Sequence, residues 1–381
     1  MFVFDNPRAG HKPRPRFTIL ADKHSSKPNL CQEPRKLEDE CFTVARPALG
    51  IDCSGQPVPI SSMILRMFLL ACLCAAAQAA PIKHEFIVID EGKNNLLYVN
   101  ENDSSKNWIV HIGKSHPRDM QLVGGSRVLI GNVTGYSEYD IATGKRLVDV
   151  TNFAPATAKA DTDEVTSVRR QPNGHTLVAG ISIGGSKGVV VLDVDAQGEV
   201  KSKITYPGSY VRLLRQTAAG TYLMVCDTKI CEGNSAGQYL WEAPVEKFGH
   251  AWKAVRLPNG HTLASAGYGG FVVELDQAKN IVRKFGGKDQ VPAAVNSDFF
   301  ASFQLLPNGD VVVCNWQGHG SDHGNSGIQL VEFDKSGAIV WQWSKAELIS
   351  SLQGILVLDN LNTALLHDER NGIMEPVPPG Q

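Results

Sequence analysis

The chain has 381 residues, 43% of them hydrophobic and 20% charged, with 36 glycines. That composition excludes a disordered or fibrous chain and leaves room for a sizeable core, in one long all-β domain or two average ones. A formal net charge of −2, with the basic residues scattered, excludes the cationic stripe of a nucleic-acid binder and gives no footprint for an anionic membrane.

Residues 1–62 are rich in Pro, Arg, Lys and Ser and show neither strand alternation nor helical periodicity. The composition changes abruptly at Met63. Arg66 is followed by an apolar run from Met67 to Ala77 and then by Ala77-Gln78-Ala79. A positive n-region, an h-region and an A-x-A site predict a signal peptide over 63–79, cleaved after Ala79, and a secreted or periplasmic product. The run is too short to span a bilayer. The apolar stretch before Cys72 is also very short for a lipoprotein signal. A signal peptide should open a protein, so residues 1–62 read as a non-native or disordered extension, with Met63 or Met67 the expected initiator. Of eight cysteines, only Cys226, Cys231 and Cys314 then remain, too few for a disulfide framework. Cys226 and Cys231 flank a short loop and either pair or stay free.

From Glu85 the dominant signal is repetition. Met120 to Val150, Val168 to Ile204, Val211 to Ala243, Val255 to Phe285 and Phe303 to Trp343 follow one plan. Strand A ends at a turn such as Pro258-Asn259-Gly260; strand B is a segment like Thr262 to Ser265. A glycine-bearing loop leads to strand C, and an Asp-x-x-Gly-like turn leads to strand D. Pro presets φ, while Asn and Gly tolerate the left-handed backbone of a tight hairpin. The period of roughly 40 to 50 residues is that of a propeller blade. The segment Leu352 to Leu366 supplies a strand A and perhaps a B; Glu85 to Gly113 supplies what completes that blade. The predicted fold is all-β, a six-bladed propeller (seven possible) over 80–367, closed by pairing of N- and C-terminal strands, with 368–381 a loose tail.

The motifs LPNGHTL, VVELD and IVWQW resemble the repeat of quinoprotein-like propellers and are similar to the propeller of bacterial arylsulfotransferases, over about Glu85 to Leu366. The resemblance implies architecture more than activity. Many quinoprotein dehydrogenases carry vicinal cysteines near the quinone; no adjacent pair exists in the mature region, which argues against bound PQQ. Arylsulfotransferases use a channel histidine to accept sulfate, and His250 is the residue this resemblance points to.

In a four-stranded meander, the loops into strand A and the B–C loops open on one face, and these are the variable ones. Function is expected there. The loops into strand A bring His116, Asp163, Glu164, Tyr210, His250 and Phe299, with Arg118 able to steady an anion; the B–C loops bring Tyr136, Tyr268 and an insertion from Asn315 to Asn325. That insertion contains Trp316, His319, Asp322 and His323 among glycines, which cannot build a core. Three readings follow. His319, Asp322 and His323 could ligate a divalent metal. His250, His319 and His323 could act as base or nucleophile. Otherwise the loop satisfies its own backbone, leaving His116, Arg118, Tyr210, Tyr268, Asn315 and Trp316 as binding residues. Asp163 and Glu164 read as a solvated loop. His175 and His261 recur at one repeat position and read as turn structure. The expected role is an exported, monomeric binding or scaffolding module for a small molecule, glycan or protein, without nucleic acid or a membrane span. The alternative is a channel-histidine enzyme, transferase-like or a metal-assisted hydrolase.

Overall fold

The computed structural model describes residues 80–113, 116–244 and 248–378. The expected extension over 1–62 and signal peptide over 63–79 lie outside the described residues. Among the described residues are six four-stranded antiparallel sheets. Blade 1 takes its strand A from the C-terminal end, Leu352–Val357, and its other three from the N-terminal end: Glu85–Asp90, Asn95–Asn100 and Trp108–His111. Blades 2 to 6 follow in chain order. Their A strands are Met120–Gly124, Val165–Arg170, Leu214–Gln216, Ala254–Arg256 and Phe299–Leu305. The fold is therefore a six-bladed β-propeller, and the seventh blade held open by the sequence is not needed. Among the described residues, no helix is long and apolar enough to cross a membrane.

Sequence pattern explains the stacking. Strands B and C are buried on both faces between neighbouring blades, so they read as continuous apolar runs, as in Val189–Val194. The outer D strands alternate exposed and covered positions instead, as in Ile339–Trp343. Turn chemistry is visible atom by atom. Asp195 Oδ1 accepts from the amides of Gln197 and Glu199, each at 2.9 Å. Asp334 Oδ1 does the same for Ser336 and Ala338. The repeated histidines pair with strand C carboxylates, His175 with Asp193 at 2.9 Å and His261 with Glu274 at 2.7 Å. Their turn-structure reading agrees with these contacts.

Ring closure relies on more than the shared blade. His84 sits at the entry of the Glu85–Asp90 strand, 4% exposed. Its Nδ1 faces Asp359 at 2.5 Å and its Nε2 faces Glu332 of blade 6 at 2.9 Å. Trp341 and Trp343 of blade 6 pack edge-on against Phe86 of blade 1.

The C-terminal segment departs from expectation. Asp368 to Gln381 reads as a loose tail, yet His367, Asp368 and Glu369 are all buried. Leu366 bridges to Val123 of blade 2 and Ile373 to Leu305 of blade 6, carrying the segment across the A strands. Its two carboxylates enter a group of cations contributed by inner strands. Asp368 pairs with Arg169; Glu369 pairs with Arg215 at 2.7 Å and with Lys253 at 2.5 Å. A sequence window sees three prolines and four charges there; it does not see the cations awaiting them.

Two outcomes follow. Replacing Glu369 by Gln leaves Lys253 without its carboxylate and Arg215 with Asp119 alone, and should cost about 3–5 kcal/mol in urea unfolding, against about 0.5 kcal/mol or less for Asp322→Asn, whose side chain is 89% exposed. Burial alone would push His84 down, but the Asp359 and Glu332 carboxylates outweigh it and raise it to about 9. A folded-state value above the unfolded one stabilises fully below pH 6.5, and that stability is lost as pH rises through 9. Tm should therefore fall across that window, and His84→Gln should flatten the fall.

Candidate functional site

The first residues of each A strand, or those just before it, form a ring at one end of the channel: Gln353, Arg118, Glu164, Arg212, Trp252 and Phe299, from blades 1 to 6 in order. All six are at most 3% exposed. Glu164 accepts from both arginines, from Arg118 at 3.0 Å and from Arg212 at 3.1 Å. Arg212 also pairs with Asp161. Both guanidinium groups lie over the indole of Trp252, at 5.4 and 5.3 Å. Two buried cations against two carboxylates leave the ring charge-balanced, and cation–π contacts reduce the cost of desolvating the arginines.

Above this ring lies a cavity of about 90 Å³ lined by Arg118, Asp161, Arg212, His250, Trp252, Tyr268, Phe299, Trp316, His319 and Gln353. Five of these, Arg118, His250, Tyr268, Trp316 and His319, are sequence-predicted site residues. The strand-A loops and the B–C loops thus do share a face. Three side-chain atoms of these lining residues are buried without a hydrogen-bond partner: Arg212 Nε, Trp252 Nε1 and Gln353 Oε1. Two donors and one acceptor are left unsatisfied together.

His250 is held in the left-handed region at φ 53°, a conformation His accepts more readily than bulkier residues. Its Nδ1 is 3.0 Å from the Tyr210 hydroxyl, and its ring meets Tyr210 and Tyr268 edge-on. Burial pushes the Tyr210 hydroxyl up, so it stays protonated. Tyr268 reaches the cavity because Gly267 allows the blade 5 loop to press on the segment before strand A. A Cβ at Gly267 would stand 2.2 Å from the Gly249 carbonyl oxygen, and φ there is +58°.

Other predicted residues go elsewhere. His116, at φ 51°, sits beside Glu91 at 4.0 Å; burial and then Arg118 push it down, and it does not line the cavity. Asn315, expected to bind, is fully buried and structural: its Nδ2 donates to the Val295 and Ile328 carbonyls at 2.8 Å each. Glu164, expected in a solvated loop, is buried within the ring, while Asp163 is half-buried and accepts from the Lys159 amide at 2.7 Å and the Thr162 hydroxyl at 2.8 Å. His319 bonds Glu91 at 2.9 Å. His323 Nε2 is occupied by the His319 carbonyl oxygen at 2.9 Å, and the Asp322 side chain is 89% exposed. Among the described residues, no group of three or more His, Cys, Asp or Glu is placed to hold a metal ion, so His319, Asp322 and His323 do not form the expected ligand set. The insertion instead spends its polar groups on itself and on blade 1, as where Ser350 Oγ donates to the Gly320 carbonyl at 2.6 Å. Sequence reading did not assign Arg212, Gln353, Asp161 or Trp252 to the site. Arg212 stands at the head of the copy from Val211 and Trp252 just ahead of the copy from Val255, which was the available signal.

A hollow of about 260 Å³ adjoins the mouth beside Tyr268, and the others lie on the opposite face. A groove of about 730 Å³ between blades 3 and 4 is lined by the Gln171 to Asn173 turn and Arg370. Two of its lining residues also leave buried atoms without hydrogen-bond partners, Gln216 Oε1 and Arg370 Nε, against three at the mouth.

Fold and site together define a six-bladed β-propeller with a charge-balanced, aromatic channel mouth. No protein-family model and no curated protein matches the chain. Among solved structures it is similar to a protein of unknown function from Bacteroides caccae, at 24% identity over 72% of this chain and 99% of that one, with a TM-score of 0.59. It is also similar to the WD40 β-propeller domain of Doa1, at 12% identity over 69% and 79% with a TM-score of 0.47. A third is selenomethionine-substituted virginiamycin B lyase from Staphylococcus aureus, at 11% identity over 69% and 84% with a TM-score of 0.44. At these identities the likeness is one of fold.

Proposed function

We propose that this protein is an exported binding module whose channel mouth holds a small, uncharged polar organic ligand. One observation carries the reading: inner positions from separate blades converge on one cavity whose lining residues leave Arg212 Nε, Trp252 Nε1 and Gln353 Oε1 without partners. An unmade buried hydrogen bond costs about 1–3 kcal/mol, which a ligand's own donors and acceptors can recover. Charge balance selects the class. An anion would have to displace Glu164 or Asp161 from arginines already neutralised, and a cation would meet Arg118 and Arg212. A hydroxyl or amide matches two donors and one acceptor without disturbing either pair. Tyr268, half exposed, and the edges of Phe299 and Trp316 offer an apolar contact beside them. Export rests on the sequence features of 63–79.

One observation favours the alternative of a channel-histidine enzyme. His250 lines the cavity with its Nδ1 engaged by Tyr210, which orients the ring as a base or nucleophile is oriented. In that reading, the arylsulfotransferase-like repeat would extend to activity.

Titration with glucose, acetamide, benzoate and benzylamine, followed by the emission of Trp252 and Trp316, tests the first reading. The neutral probes should perturb the emission and the charged ones should not. Trp252→Phe removes one donor and should weaken binding about tenfold. Binding of benzoate or benzylamine alone would overturn the assignment of ligand class. Turnover of nitrophenyl sulfate that disappears in His250→Gln would instead establish the enzyme.

A further inference from the structure

Blade 4 carries two cysteines on one hairpin. Its B strand, Tyr222–Cys226, turns through Asp227 and Thr228 into its C strand, Lys229–Gly233. Both Cys226 and Cys231 are free thiols. Cys226 lies opposite Lys229 and Cys231 opposite Met224, so the two cysteines are diagonal neighbours on one face of the hairpin. The adjoining strand, Tyr239–Pro244, completes their surroundings. The Tyr239 hydroxyl lies 3.9 Å from Cys226 Sγ. Cys231 Sγ donates to Glu242 Oε1 at 3.8 Å, and Lys229 Nζ donates to the same oxygen at 2.5 Å. Cys226 is half-buried and so reachable; Cys231 is fully buried.

We propose that Cys226 and Cys231 are a dithiol oxidation site, closed to an intramolecular disulfide by a small oxidised disulfide, and that closure is transmitted to the channel mouth. The Cys226 thiolate attacks one sulfur of the oxidant, forming a mixed disulfide and releasing one thiolate. Cys231 passes its proton to Glu242, and its thiolate attacks the Cys226 sulfur. The Cys226–Cys231 bond forms as the second small thiolate leaves. Two electrons pass from the protein to the oxidant, which is reduced to two thiols. The order of attack has a physical basis. The neighbouring Cys231 thiol and the Tyr239 hydroxyl hold Cys226 below the usual thiol range despite burial, while Cys231 is pushed up.

Transmission follows from geometry. Diagonal neighbours stand farther apart than the roughly 3.5–4.5 Å between Cβ atoms that a disulfide requires, so closure must draw the two strands together. The turn that moves with them is tied to the mouth. Asp227, at φ 63°, accepts from the Ala251 amide at 3.1 Å, and Ala251 lies between His250 and Trp252. This site stands apart from the mouth's ligand and does not depend on it.

The test treats the full chain with glutathione disulfide. The expected product has lost the mass of two hydrogen atoms, yields a peptide linking Cys226 to Cys231, and shows a shifted Trp252 emission, read as the difference from Trp252→Phe. Dithiothreitol should reverse all three. Cys231→Ser should accumulate a glutathione adduct on Cys226, and fully buried Cys314 should stay reduced throughout. A lasting adduct on Cys226 in the unsubstituted chain, no oxidation at all, or a disulfide that leaves Trp252 emission unchanged would each overturn the proposal.

Discussion

The structure depends on a set of buried charges along the propeller axis. Arg169 and Arg215 lie on the A strands of blades 3 and 4, Lys253 immediately precedes that of blade 5, and all three are buried. Unpaired, each would carry a desolvation penalty of several kcal/mol. Asp119 answers Arg215 from blade 2 at 2.9 Å, and the C-terminal segment supplies Asp368 and Glu369. Glu369 is held down to about 2, since Lys253, Arg215 and Arg169 together overcome the burial that would raise it. The C-terminal segment thus completes an interior that the blades alone leave unbalanced.

Closure and the candidate site occupy opposite ends of the same channel. With the C-terminal segment crossing one end, the Arg118–Glu164–Arg212–Trp252 cluster stands at the other, beneath the variable loops. The inner strands fix the positions of the cluster and of its unpartnered polar atoms. Loops set the rim. His250, Tyr268 and His319 arrive from segments whose sequences do not repeat.

Repetition made the blades legible because each blade must satisfy the same local rules. Asn259 capping the amide of His261 and Asp276 capping that of Asn280 are contacts within one turn, and a sequence window contains both partners. The face bearing the site was legible for the same reason, and five of its cavity residues were named from it. Asn315, Glu164 and the C-terminal tail were misread for one shared cause. Each is polar in sequence, and each is buried by partners 13 to 199 positions away, such as Ile328 for Asn315 and Arg169 for Asp368. His323 failed as a ligand for a smaller reason: the Gly-rich loop folds back so that the His319 carbonyl takes its Nε2.

By itself, the sequence determined the period, the turns, the four strands per blade and the completion of blade 1 from both chain ends. These follow from φ preferences and alternation, which act over a few residues. Only the tertiary structure decided which charges neutralise one another, which aromatic rings meet above the channel, and that the end of the chain enters it. Those outcomes belong to side chains from different blades brought within contact, and the identity of a buried group's partner is a property of the closed ring rather than of any stretch of sequence.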